Sequence, residues 1–305
     1  MIYFKQCLAV FFWGLTFLFT KTALQEAGIP TLVLARSFLG LLTVALFLRE
    51  YKWLKNISKT DWLKLTFLSI TGILIQQNAQ GYAILHTSTN HAGWLTTLSP
   101  VFVAFVMVAF LGEKLSRDRM MGFAVCILGV LLVFTSEQML TNGATMQTLK
   151  GDLIFIGTSV NWTIYVIPMS IWFKNTPNLR VTFCIFLIAT VLMLPVEILT
   201  GAYRSLPALS PRAAWSLAYL GIFCSGLAFI FYNEGLEKIG TLKTSAFLYA
   251  QPFVTVFAGY FILGEKIGRA TVIGGTMILC GLYMINVRRR HIRKFYITLI
   301  RYFRV

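Results

Sequence analysis

The chain alternates long apolar stretches with short polar breaks. Nearly uncharged runs fall at about 4–24, 31–48, 63–85, 92–111 and 120–136, then at 151–173, 181–200, 213–236, 244–263 and 270–287. A helix needs about 20 such residues to cross the hydrocarbon core of a bilayer, where the backbone must satisfy its own hydrogen bonds. The pattern therefore predicts an all-α integral membrane protein with ten transmembrane helices. A polar linker at 137–150, with Asn142-Gly143 inside it, divides the spans five and five. The expected organisation is a first repeat at 1–136, the linker, a second repeat at 151–287 and a basic tail at 288–305. Lys5 precedes the first run and no small-residue cleavage site follows it, so it reads as an uncleaved helix rather than a signal peptide.

The two halves are copies. Residues 100–133 align without a gap on 252–285, at an offset of 152, with 9 of 34 positions identical. Apolar bias would match Leu, Val and Phe by chance, but it would not place Pro100/Pro252, the two Leu-Gly-Glu-Lys blocks, Arg117/Arg269, Gly122/Gly274 and Gly129/Gly281 in one register. A repeat this long is a duplicated structural unit.

Composition removes other classes. With 57% hydrophobic residues, 12% charged residues and a mean hydropathy of +0.73, the chain is too apolar for a soluble domain. Its net charge of +16 reads as cytoplasmic loops and tail rather than as a nucleic-acid surface. The tail's Arg and Lys, set among aromatics, suit an anionic inner leaflet. With the N-terminus in the cytoplasm, twenty Lys and Arg lie inside against six outside, which puts both termini in the cytoplasm. An odd number of spans per half then inserts the two repeats with opposite polarity. Such inverted-topology repeats mark secondary transporters, with the substrate site near midplane between the halves. Cys7, Cys126, Cys184, Cys224 and Cys280 each sit in an apolar run, without metal-like or disulfide spacing.

Trp13-Gly14-x-x-Phe17-x-x-x-Lys21, Arg36, and Leu98-Ser99-Pro100 leading to Leu111-Gly112-Glu113-Lys114 resemble the EamA-type drug/metabolite transporters. Gln251-Pro252 leading to Leu263-Gly264-Glu265-Lys266 is similar to the second copy of that pattern. The second half departs from it, with Trp162-Thr163 in place of Trp-Gly and no intramembrane Arg to mirror Arg36. The resemblance implies a multi-pass carrier of the bacterial inner membrane, often an exporter of amino acids or related metabolites.

Polar groups inside a membrane need internal partners or a wet cavity, so they are the candidate substrate ligands. Arg36 can draw a carboxylate or can act structurally on neighbouring carbonyls. Gln76 and Gln80 share one face of the third span, with Tyr82 on another; they suit an amide-like or amino-acid substrate, or simple interhelical bonding. Trp13 and Trp162 are read as matching positions in spans one and six, with Tyr165 one turn on, and aromatics at mid-span can stack on substrate. Trp94, Tyr249 and Gln251, just before Pro100 and Pro252, are further candidates, and the prolines themselves are expected to bend their helices as gates. Glu234, four residues before Lys238, is an interfacial ion pair or a proton-coupling group. Glu113 and Glu265 read as turn-fixing groups. His86 and His91 lack further ligands for a metal. Nothing indicates a catalytic set, a cofactor or a metal site, so the chain is not expected to be an enzyme. Expected partners are a small-molecule substrate, the bilayer and a coupling proton, with no nucleic acid. The alternatives are an importer of a metabolite such as S-adenosylmethionine or a nucleotide-sugar-like compound, or a membrane enzyme or structural subunit handling lipid-linked substrates.

Overall fold

The computed structural model describes residues 1–87, 89–112, 116–140, 146–263 and 269–286. Glu113, Lys114, Glu265, Lys266, the middle of the linker and the basic tail lie outside the described residues, as does the side chain of His91.

All regular structure among the described residues is helical. Helix α1 spans Ile2–Ala23 and α2 spans Ile29–Leu46. Helix α3, residues 59–84, joins Lys59–Ser69 to Gln76–Ile84 through a π-helical turn at Ile70–Ile75. Then follow α4 (Ala92–Ala109), α5 (Arg117–Leu140), α6 (Met146–Trp172) and α7 (Asn178–Thr200). Helix α8 (Pro211–Lys238) contains a second π-helical segment at Leu220–Leu227. Helices α9 (Thr241–Ile262) and α10 (Arg269–Asn286) are the last among the described residues.

Seven of these, α1, α2, α4, α7, α8, α9 and the Leu149–Trp172 part of α6, are long and apolar enough to cross a membrane. Val272–Ile285 within α10 is a shorter apolar stretch. Helix α3 is less apolar because it carries Gln76, Gln77, Asn78 and Gln80. Large side chains such as Phe105, Leu199 and Phe261 point outward and exposed, as a lipid-facing surface requires.

The two halves exchange elements. Helix α1 packs on residues 228–238 of α8 and on the C-terminal part of α9; α6 packs on residues 76–84 of α3 and on α4. Each of these contacts is the other shifted by the repeat offset. Helix α2 lies against α7, and α5 against α10, so equivalent helices also meet. The last contact is set by small residues. A Cβ on Gly129 would come within 2.6 Å of the Gly274 carbonyl oxygen, and one on Gly122 within 2.8 Å of the Gly281 carbonyl oxygen. Between these crossings Cys126 Sγ lies 3.5 Å from the carbonyl oxygen of Ile278, its own repeat counterpart. The pairing descends along one helix as it ascends along the other, so the contact is antiparallel. Glycine permits this approach, and helices in lipid associate through such close backbone packing.

Candidate functional site

The site is built on broken helices. Helix α1 is interrupted at Leu15, which frees backbone carbonyls in its middle. Two side chains of α9 satisfy them: Gln251 Nε2 donates to the Trp13 carbonyl at 3.2 Å and Thr255 Oγ1 to the Gly14 carbonyl at 2.8 Å. Inside a bilayer such carbonyls need protein partners, which gives Gln251 a local reason to face α1. The two π segments act likewise. Trp13 Nε1 donates to the Cys224 carbonyl at 2.8 Å, and Asn161 Nδ2 donates both to the Thr71 carbonyl and to Gln76 Oε1, each at 2.8 Å. π-Bulges of this kind often mark functional sites.

The prolines fall at restarts rather than at smooth bends. Helix α4 breaks at Thr96–Thr97 and resumes at Leu98, so Pro100 occupies its first turn; Pro252 follows the 3₁₀ turn Phe247–Ala250 in α9. A residue without an N–H is accommodated in the first turn of a helix.

One cavity opens where these breaks meet. Its polar wall is Arg36, Gln76, Gln77 and Gln80, with Thr16, Thr96 and Ser99; its aromatic wall is Trp13, Phe17, Trp162 and Phe229, closed by Leu248 and Gln251. About 60 Å³ is open to the centre of a water molecule, against roughly 10–15 Å³ for one water. That is room for several waters or a small solute. Trp13 meets Trp162 and Phe229 edge to face, at centroid distances of 5.5 Å in both cases. Arg36 is 4% exposed; its hydrogen bond is a long one, 3.4 Å from Nε to Ser225 Oγ, and no carboxylate pairs with it among the described residues.

Of the residues expected from the sequence, Trp13, Arg36, Gln76, Gln80, Trp162 and Gln251 line this cavity. Tyr165 does not. Its ring fills the space where Gly72 lacks a Cβ, and its hydroxyl donates to Asn233 Oδ1 at 3.0 Å. The matching of Trp13 with Trp162 is corrected by these contacts. At the repeat offset Trp13 corresponds to Tyr165, and each lies against the π segment of the opposite half, Trp13 on Cys224 and Tyr165 on Gly72. Trp94 and Tyr249 are buried in a separate apolar cluster with Phe123 and Cys126, their Nε1 and hydroxyl without hydrogen-bond partners. Tyr82 is 44% exposed and its ring lies tilted against His86, centroids 4.7 Å apart, away from the cavity. Glu234 is also away from it, held between Lys5 Nζ and Lys238 Nζ at 2.6 Å each.

Several lining residues escaped the sequence reading, Gln77, Ser99, Thr96, Phe229 and Leu248 among them. The offset of 152 would have found part of them, because Gln77/Phe229, Thr96/Leu248 and Ser99/Gln251 are repeat mates that all line the cavity.

Comparison with known proteins places this architecture. A model of the EamA-like transporter family matches residues 1–135 and again 149–287. The chain belongs to that family. An "Uncharacterized transporter" of Archaeoglobus fulgidus is 24% identical over 92% of this chain and 96% of its own length. A "Probable terminal-alkyne amino-acid exporter" of Streptantibioticus cattleyicolor is 22% identical over 92% of each. A solved crystal structure with 17% identity superposes with a TM-score of 0.73 over 94% of this chain and 98% of its own, and shows the same fold. This EamA-like protein is thus a membrane-embedded transporter rather than an enzyme.

Proposed function

We propose that this EamA-like transporter is a secondary carrier that moves small carboxylate-bearing metabolites, amino acids or related compounds, by alternating access, in the direction of export. The carrying observation is Arg36, a buried guanidinium with no carboxylate partner among the described residues, set in a cavity lined by four glutamines. A buried cation without compensation is costly, and a substrate carboxylate supplies the missing charge. Trp13, Trp162 and Gln251 complete the contact set, while Tyr165, Trp94 and Tyr249 support the walls from behind and Pro100 and Pro252 mark the segments that move.

The reading includes ten spans arranged as two inverted repeats, 1–136 and 151–287, with both termini cytoplasmic in a bacterial inner membrane. Its support is the exchanged packing. A contact of Cys126 with its own mate Ile278, flanked by the Gly122/Gly281 and Gly129/Gly274 crossings, is what a two-fold axis in the membrane plane produces. Proton coupling through Glu234 is the weaker arm, since two lysines already compensate that carboxylate.

Reconstitution tests the proposal. Saturable uptake of labelled amino acids or related carboxylates into proteoliposomes is expected, lost in Arg36→Met and reduced in Gln76→Ala/Gln80→Ala. Uptake that both variants retain would remove the cavity from the mechanism. Running each arm with and without a proton gradient, in the native protein and in Glu234→Gln, reads the coupling.

A further inference from the structure

The charge balance of the cavity and the state of one glutamine narrow the substrate class. Among the described residues that line the cavity, Arg36 is the only charged one. Gln77 is 2% exposed, and neither its amide oxygen nor its amide nitrogen has a hydrogen-bond partner. Two other lining amides are engaged through one atom each: Gln76 Oε1 accepts from Asn161, and Gln251 Nε2 donates to the Trp13 carbonyl. Gln77 thus lines the cavity with both its amide donor and its amide acceptor unengaged.

Resting on the carrier reading above, we infer that the substrate is a net monoanion joining a carboxylate to a neutral amide, as in an N-acylated amino acid, and that Gln77 sets this specificity. A zwitterion would leave the site with an uncompensated positive charge, and its ammonium would find no carboxylate there. A monoanion neutralises Arg36. The amide then pairs edge to edge: Gln77 Nε2 donates to the substrate carbonyl and Gln77 Oε1 accepts from the substrate N–H, so both buried atoms are satisfied. The edges and faces of Trp13, Trp162 and Phe229 remain for an apolar side chain.

Proteoliposome uptake of four matched compounds tests this: N-acetyl-leucine, the corresponding keto acid, leucine and leucinamide. N-acetyl-leucine is expected to exceed leucine in kcat/KM by at least about tenfold, and Gln77→Met is expected to lose about tenfold of the preference for N-acetyl-leucine over the keto acid. Gln77→Glu supplies the missing negative charge and is expected to shift preference toward zwitterionic leucine, a gain that misfolding cannot imitate. Faster transport of leucine than of N-acetyl-leucine by the native protein would overturn the inference and leave the carrier reading standing. Equal losses for N-acetyl-leucine and the keto acid in Gln77→Met would remove Gln77 as the determinant. Uptake of none of the four would sink the inference and the carboxylate reading together.

Discussion

Breaking the Lys5–Glu234 ion pair should open one end of the cavity. Lys5 belongs to α1 in the first half and Glu234 to α8 in the second, so their contact ties the two halves together. The tie is reinforced: Lys238 holds the other carboxylate oxygen, Lys5 Nζ lies 5.8 Å from the Phe231 ring centroid, and Gln6 donates to the Phe231 carbonyl. The repeat counterparts of Lys5 and Glu234 are Gly157 and Tyr82. A Cβ on Gly157 would meet nothing within 4 Å, and Tyr82 is exposed, so these positions do not form the ion pair. The Lys5 and Glu234 side chains are 26% and 13% exposed, between the surface and buried regimes. Exposed pairs contribute under about 1 kcal/mol and loss of one partner of a fully buried pair costs about 3–5 kcal/mol, so about 1–2 kcal/mol is expected here. That corresponds to a shift of roughly 5–30-fold between closed and open populations. With the native cysteines replaced, a cysteine at the cavity position Ser99 should react with a membrane-impermeant thiol reagent roughly 5–30-fold faster from the Lys5 side in Glu234→Gln. Lys5→Met should do the same, and the double variant should add little. An unchanged rate from that side, or an equal rise from both sides, would refute the lock.

Gly281→Ala should lower the melting temperature by several degrees, because its Cβ would lie 2.5 Å from both the Gly122 carbonyl oxygen and Cys126 Sγ; overpacking of this sort costs about 1–3 kcal/mol. Gly157→Ala, facing open space, is the control and should not lower it. Tyr165→Phe deletes the bond to Asn233, which Thr182 does not hold through the same atom, and should cost about 0.6–2 kcal/mol in detergent melts while transport persists. Glu26, in the turn after α1, accepts hydrogen bonds from the Ser210 hydroxyl and backbone N–H, which hold its carboxyl below the usual carboxylate range. A depressed folded-state value means this clasp is fully present at neutral pH and is lost as pH falls through the acid range. Hydrogen exchange at the Ser210 amide, corrected for its intrinsic rate, should show protection that is lost as pH falls through the acid range, and Glu26→Gln should flatten that dependence.

The periodicity of apolar runs made the helical membrane class and the element limits legible, because about 20 residues of hydrocarbon leave few other solutions. The sequence repeat was legible because Gly122, Gly129, Gly274 and Gly281 recur in one register, and the same glycines make the close approaches between α5 and α10. The amide cluster of α3 and Arg36 stood out because polar groups in lipid are costly. What periodicity could not give was which amide is spent on the backbone. Gln76 is held by Asn161 only because a π turn frees the Thr71 carbonyl beside it, and a π turn leaves no clear mark in an α-helical pattern. The correspondence of Trp13 with Tyr165 was legible from the offset of 152, whereas the room that Gly72 makes for the Tyr165 ring was not.

The scaffold and the site obey different rules. At the α5–α10 crossing Cys126 meets its own mate Ile278, and the Gly122/Gly281 and Gly129/Gly274 contacts are each other's counterparts, so under the inverted-repeat reading an exchange of inward and outward states returns them nearly to themselves. The lining does not share this property. Where the first half places Gln77, Ser99 and Arg36, the second places Phe229, Gln251 and Ile188. Under the carrier reading the substrate therefore meets its cation from the first half alone and amides and aromatic rings from both, in either state, and the lining does not by itself set direction. Direction must come from elements that distinguish the two ends. Lys5 and Glu234, with Gly157 and Tyr82 as their mates, are such an element, and under the carrier reading the bias they place on the resting state is what the Ser99 labelling experiment reads.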